Sequence, residues 1–339
     1  MAVEFPDMNK VTRDLLMKVR KIVPPLLPKF HKGQMGRVAV IGGCKDYTGA
    51  PYFSAIATAR LGADLSHVIC EPQAGQVIKA YSPNLMVHPL MRESNQAGKD
   101  ESASSIAEEI VKMLPRIHVL VLGPGLGEDQ LMLDTCALVI EAARKRKMPC
   151  ILDANALTLA QNRPDIVQDY TECVLTPNIA EFRRLCRSKA IDYSKLSKER
   201  CSAELARAFG GVTVIQKGMH DFISNGDKTM VCDVQGGLKR SGGQGDTLTG
   251  CLATFLCWRK AYLDKLWNHD NDIDASESFA LAVLGGSAVT RECSRLAYLK
   301  KGRSLQASDL TEELNNAFIN LYESPDLESY HGSVERQNN

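Results

Sequence analysis

The stretch "SGGQGDTLTG" (241–250) places Asp246 directly after Gly242, Gly243, Gln244 and Gly245, ahead of an apolar run at helical spacing, Leu248, Cys251, Leu252, Phe255 and Leu256. Glycine is costly to order, so such a cluster implies unusual dihedrals or close approach to another group. A glycine turn opening a helix aims unpaired N–H groups at an anion, at the positive end of the helix dipole. A carboxylate at that spot can take a proton from an attacking hydroxyl while the amides carry phosphate charge. The competing reading is a tight turn with Asp246 as helix cap, worth about 1 kcal/mol.

Other polar residues fall at the ends of apolar runs. "CVLTPNIAEFRRL" brings Asn178 and Glu181 three residues apart, a spacing that also suits an Asx-type cap followed by a first-turn acid. "VIQKG" ends on Lys217 and Gly218, and "GPGLG" closes on Gly127. Exposure alone would explain Lys217, and a turn after a buried strand would explain "GPGLG". Ala50 and Pro51 in "YTGAP" shape a turn into a helix. No GxxxxGK[ST] is present, and neither "GPGLG" nor "GGCKDYTG" completes GxGxxG, so P-loop and dinucleotide fingerprints are both missing.

The elements that must position these residues are legible as runs. "RVAVIGG" (37–43), "LSHVICE" (65–71), "IHVLVLGPGLG" (117–127), "CILDANAL" (150–157), "CVLTPN" (173–178) and "VTVIQKG" (212–218) alternate with room for helices. Continuous apolar strands between helices predict a mostly parallel sheet covered on both faces. Ligands in such sheets bind beyond the carboxyl ends of the strands, where these polar and glycine endings lie.

The chain has 339 residues and a net charge of +1, which argues against nucleic acid or a membrane surface as main partner. Its 11 cysteines are odd in number, lack any CxxC pair and sit mostly in apolar runs, reading as buried small hydrophobes in a reducing compartment. The histidines show no metal-ligand spacing. No apolar run reaches membrane-spanning length. "MAVEFPDMNKVTRDLLMKVRKIV" reads as an amphipathic helix, because Glu4, Asp7 and Asp14 do not suit a transit peptide. This predicts a cytoplasmic protein, with a mitochondrial pool left open. "PPLLP" (24–28) separates that helix from the body, "LWNHDNDIDASES" (266–278) reads as a surface loop, and the polar end is expected to fray. The expected organisation is therefore a helix and connector over 1–29, a catalytic domain over 30–325 and a tail over 326–339. An exposed, partly apolar first helix suggests a homo-oligomer.

Glycines followed by Asp at a helix start, "GGQGD", with the NxxE of "NIAE", resemble the ribokinase-like superfamily. "GRVAVIGGCKDYTGAPYFSAIATARLGADL", "SPNLMV", "LGPGLG", "DANAL", "LTPNIAEFRRL", "VIQKG" and "SGGQGDTLTG", in this order over about residues 30 to 325, resemble the ATP-dependent NAD(P)H-hydrate dehydratases within it. The chain departs from commoner members at "DANAL", where many have Asp-Ala-Asp, and at "TPNIAEF", where many bacterial forms have Thr-Pro-His. The resemblance implies a three-layer α/β/α sandwich and repair of hydrated NADH or NADPH with ATP as co-substrate. It implies Asp246 as base, Gly242, Gly243, Gln244 and Gly245 around the phosphates, and Lys217, Gly218, Met219, His220 and Asp221 against ATP. The hydrated dinucleotide would meet Gly127, Asp246 and the segment Asn178, Ile179, Ala180, Glu181, Phe182, Arg183 and Arg184. Asn178 and Glu181, one helical turn apart, would serve Mg2+ brought in with ATP. A small-molecule kinase of the same superfamily, for a sugar, hydroxymethylpyrimidine or pyridoxal, and a non-catalytic nucleotide-binding protein are the alternatives.

Overall fold

The computed structural model describes residues 5–323. In chain order the elements are α1 (Lys10–Lys21), β1 (Arg37–Ile41), α2 (Gly49–Leu61), β2 (Leu65–Ile69), α3 (Pro72–Tyr81), β3 (Met86–His88) and α4 (Ala103–Val111). There follow β4 (Val119–Leu122), α5 (Gln130–Lys145), β5 (Cys150–Leu152), α6 (Asn155–Asn162), β6 (Cys173–Leu175), α7 (Ile179–Ser188) and α8 (Lys198–Ala208). The chain closes with β7 (Thr213–Gln216), β8 (Asp221–Ser224), β9 (Thr229–Cys232), α9 (Gln244–Leu263), α10 (Ala275–Lys301), α11 (Ala307–Glu312) and α12 (Leu314–Phe318). One sheet of 9 strands runs β3-β2-β1-β4-β5-β6-β7-β8-β9.

Strand residues alternate between two cores. Val38, Val40, Val119, Val121 and Ile215 join one core with α1, α2, α3, α9 and α10. Ala39, Ile41, Leu120, Leu122 and Val214 join the other with α4 to α8. The arrangement is a three-layer α/β/α sandwich, as the runs predict. Pairing is parallel from β3 across to β7, and antiparallel from β7 through β8 to β9. The ladder bonds continue one residue past the strands: Gly123 N–H donates to Ile41 O, Asp153 N–H to Leu122 O and Thr176 N–H to Leu152 O. Each polar strand ending is thereby fixed at one edge of the sheet.

Several expectations need correction. The runs do not announce β3, β8 or β9. A signal for the last two was present in "SNGD", where Asn225 Oδ1 accepts from the N–H groups of Asp227 and Lys228 and Gly226 takes φ +96°. The first helix starts only at Lys10, where Asn9 caps Thr12 N–H. It is not an exposed apolar helix: Leu16 and Val19 are fully buried in the core shared with α10. Lys18 and Lys21 pair with Glu277 and Asp272, Thr12 Oγ1 donates to Val231 O, and Asn9 N–H donates to Asp233. The surface loop after α9 is anchored, with Trp267 and Ile273 buried and His269 stacked on Tyr262 at 3.9 Å. Ala275 to Ser278 already belong to α10. All 11 cysteines are buried and free. Among the described residues no helix is long and apolar enough to cross a membrane. The tail expected over 326–339 lies outside the described residues.

Candidate active site

The site begins with the way α9 starts. Gly243 precedes its first residue at φ +85°, and a Cβ there would stand 2.5 Å from Ala307 Cβ. Both facts require glycine. No side-chain cap bond closes this helix start. Gln244 Nε2 instead donates to Lys239 O and Ser241 Oγ, tying the loop to itself. A Cβ on Gly242 would meet nothing within 4 Å, so that glycine leaves open backbone. The cap position thus belongs to Gly243, and Asp246 is the third residue of the helix. The reading of Asp246 as a cap does not hold.

The α9 start lies over the ends of β5 to β7. Asp153, buried after β5, accepts from Thr176 Oγ1 at 2.7 Å and Lys217 Nζ at 3.1 Å, both on the same oxygen, Oδ1. A Cβ on Gly245 would lie 3.4 Å from Lys217 Nζ and 3.5 Å from Asp153 Oδ2. Gly245 therefore keeps a small space open between amide, ammonium and carboxylate. Burial, with the Asp153 charge added, pushes the Asp246 carboxyl up to about 7, against the pull of Lys217. Burial works against the Lys217 ammonium, but Asp153, Glu181 and Asp246 outweigh it and raise its pKa. Glu181 is raised by burial, opposed by the Asn178 N–H bond and Lys217. One cation thus serves three carboxyl groups, and one of them, Asp246, stands in the first turn of α9.

Asp153 was not singled out from the sequence, although it ends a strand run within "DANAL". The next residue, Ala154, holds φ +49° and ψ −121°, a region costing a non-glycine residue about 1–3 kcal/mol. Gly123 crosses beneath it so closely that a Cβ would fall 1.8 Å from Asp153 O. Strain and close packing together fix the direction of the Asp153 side chain.

The remaining candidates divide. Asn178 and Glu181 form a capping box: Asn178 Oδ1 accepts from the N–H groups of Ala180 and Glu181, and Glu181 Oε2 accepts from Asn178 N–H at 2.7 Å. The Asx-cap reading is therefore realised, and the only side-chain oxygen of Asn178 is taken by two amides. That removes it as a metal ligand. Phe182 is buried in the α4–α8 core and turns away, while Ile179, Ala180, Arg183 and Arg184 are exposed. Gly218, Met219 and His220 form an exposed turn between β7 and β8. Asp221 points inward, accepting from Gly218 N–H at 3.0 Å and Ser287 Oγ at 2.8 Å and pairing with Arg291 at 3.2 Å. Its carboxylate is committed to protein, so it is no direct ligand for ATP. Gly127, at φ +77°, lies against Cys44, and a Cβ on Gly125 would reach 2.7 Å from Tyr47 O. Packing onto the β1 loop accounts for these glycines.

Gly245→Ala separates packing from function. Its φ is ordinary and its new contacts are of van der Waals length, so the helix should gain stability, by about 0.5–1 kcal/mol at a helical position. The methyl group would fill the space beside Lys217, so the expected result is unchanged or higher melting temperature with weaker binding of a phosphate-bearing ligand. Unaltered binding of inorganic phosphate or a nucleotide would place phosphate elsewhere.

Comparison with known proteins follows this geometry. The profile of the NAD(P)H-hydrate dehydratase family matches residues 38–316. An ATP-dependent (S)-NAD(P)H-hydrate dehydratase of Phaeosphaeria nodorum is 61% identical, over 91% of this chain and 95% of that protein. One from Schizosaccharomyces pombe is 49% identical, over 93% of this chain and 94% of that protein. Among solved structures, the ADP/ATP-dependent NAD(P)H-hydrate dehydratase of Bacillus subtilis, co-crystallised with ATP/Mg2+, has a TM-score of 0.63 at 21% identity, covering 94% of this chain and 100% of its own. That likeness speaks to the fold. The profile match and the sequence identities go further: the chain belongs to the NAD(P)H-hydrate dehydratase family.

Proposed function

We propose that this protein uses ATP to dehydrate (6S)-hydrated NADH and NADPH back to NADH and NADPH. The observation that carries the chemistry is Asp246, with a carboxyl poised near neutrality, in the first turn of a helix whose start no side chain caps. The hydrated nicotinamide ring bears a hydroxyl on the carbon beside the ring nitrogen, and hydroxide is a poor leaving group. Asp246 takes the proton of that hydroxyl, its oxygen attacks the γ-phosphorus of ATP, and ADP leaves. The nitrogen lone pair then expels phosphate as the C–O bond breaks. Loss of a proton from the neighbouring carbon restores the ring double bond.

In this reading the backbone around Gly242, Gly243 and Gly245 and the Lys217 ammonium carry phosphate charge. Lys217, Gly218, Met219 and His220 face ATP, while Gly127 and the exposed residues from Ile179 to Arg184 face the dinucleotide. Asp153 Oδ2 and Glu181 Oε1 have no donor among the described residues, the other oxygen of each being taken by Lys217 and Thr176 or by Asn178 N–H. They suit Mg2+, a hard cation that prefers oxygen and often binds through phosphates and water. Asp153 and Glu181 would hold the ion, whose chemistry is to neutralise charge on the phosphates.

The test incubates purified protein with hydrated NADH, ATP and graded Mg2+. The expected result is recovery of NADH absorbance with stoichiometric ADP and phosphate, and an Mg2+ requirement that tracks ATP. A stable phosphorylated product without NADH would favour the small-molecule kinase. No turnover with this substrate or a panel of small alcohols would favour a binding protein.

A further inference from the structure

The turn between β7 and β8 and the segment leaving β9 are joined by one side chain from α10. Arg291 Nε donates to Val234 O at 2.6 Å, Nη1 to Gly218 O at 3.3 Å and to Asp221 Oδ1 at 3.2 Å, and Nη2 to Met219 O. The Asp221 carboxylate in turn accepts from Gly218 N–H and, on its other oxygen, from Ser287 Oγ of the same helix. Val234 leads through Gly236 and Gly237 into the loop that opens α9. A Cβ on Gly237 would lie 2.4 Å from Ser294 O, so this path is pressed flat against α10. The guanidinium is 12% exposed and the carboxylate 8%. Arginine suits this place because its planar fork presents several N–H donors in fixed directions.

Both connected segments are irregular backbone; the proposed function, on which this inference rests, assigns the first to the nucleotide, and the second leads into the α9 loop that it also assigns there. We infer that Arg291, through Asp221 and Ser287, is a positioning residue for ATP: it touches no substrate but holds the Gly218–His220 turn and the approach to the α9 loop in register. Segments left to order themselves at binding would charge that entropy to affinity. Chemistry at Asp246, once ATP is bound, would proceed unaltered.

The experiment is Arg291→Lys, which keeps the charge but cannot span four acceptors. The expected result is a KM for ATP raised about 10-fold, the equivalent of about 1.4 kcal/mol. Turnover at saturating ATP and the KM for hydrated NADH should stay within about 2-fold, since neither depends on the held turn. A merely structural role would lower the melting temperature without this split. Ser287→Ala serves if the lysine variant does not fold, with a KM for ATP up by about 2–5-fold, the scale of one hydrogen bond. An unchanged ATP KM in a folded variant, or equal loss for both substrates, overturns the inference. Hydrogen exchange over residues 217–221 of the wild type, with and without ADP, separates the two readings. Protection by ADP alongside unchanged variants sinks only the role of Arg291, whereas no protection removes the turn from the nucleotide site and overturns both.

Discussion

Asp246→Asn is expected to lower turnover at saturating substrates by about 10²-fold or more, the usual scale for losing a general base. ATP should still bind, because the amides at the α9 start are untouched. The same substitution should also stabilise the protein at alkaline pH. The carboxyl sits at about 7 in the folded chain against an ordinary 3.8. Between those values the folded state binds more protons than the unfolded one, so the stability contributed by this group is present below pH 4 and lost as pH rises through about 7. The asparagine variant should therefore melt a few degrees above wild type at pH 8, with the gain gone by pH 4. Melting, ATP affinity and single-turnover rate on one sample decide the matter. Retained turnover would remove Asp246 from catalysis.

Lys217→Met should be the second most damaging change. The ammonium is the cation shared by Asp153, Glu181 and Asp246, and a phosphate entering beside Gly245 would meet it. Loss of one preorganised donor lowers kcat/KM for ATP by about 10²–10³-fold. Because Lys217 pulls the Asp246 carboxyl down, the acidic limb of the rate profile should move above pH 7 in this variant. Asp153→Asn has the opposite sign: it removes a charge that pushes Asp246 up, so its acidic limb should move below pH 7. The methionine variant should also melt earlier, since Asp153 is left buried without its cation. Rate profiles that shift in the same direction would overturn these signs, and profiles that do not shift would show that the three groups do not sense one another.

The parallel core was legible because fully buried strands have no polar face to obscure them. Val38 to Ile41 and Val119 to Leu122 read as continuous apolar runs, and the structure buries them from both sides. β3 was lost because its 3 residues, Met86 to His88, are half-buried and alternate nothing. The β8–β9 hairpin has one signal in the sequence, its Asn-Gly turn, because its strands are only 4 residues each and β9 is mostly half-buried. At the site, strand endings located Lys217 and Asn178, and the glycine cluster located Asp246. What single residues could not disclose was their coupling. Asp153 matters through Lys217 and Thr176, which lie 64 and 23 positions away in the chain. In the same way, Asp221 reads as a ligand until Arg291, 70 positions on, is seen to occupy it.

The first helix has a consequence for solubility. β9 ends the sheet, and an edge strand with free carbonyls is a template for pairing with another chain. Here Thr12 Oγ1 occupies Val231 O, Gln235 N–H reaches Asp7 O, and the same helix sinks Leu16 and Val19 into the core shared with α10. The segment behaves as a fitted cover on the exposed border of the sheet. A chain cut just before Arg37 would keep every residue of the active site and yet present both an open strand and an apolar strip. Such a truncation would be lost to self-association between molecules rather than to failed chemistry, so an inactive preparation starting there would say nothing about catalysis.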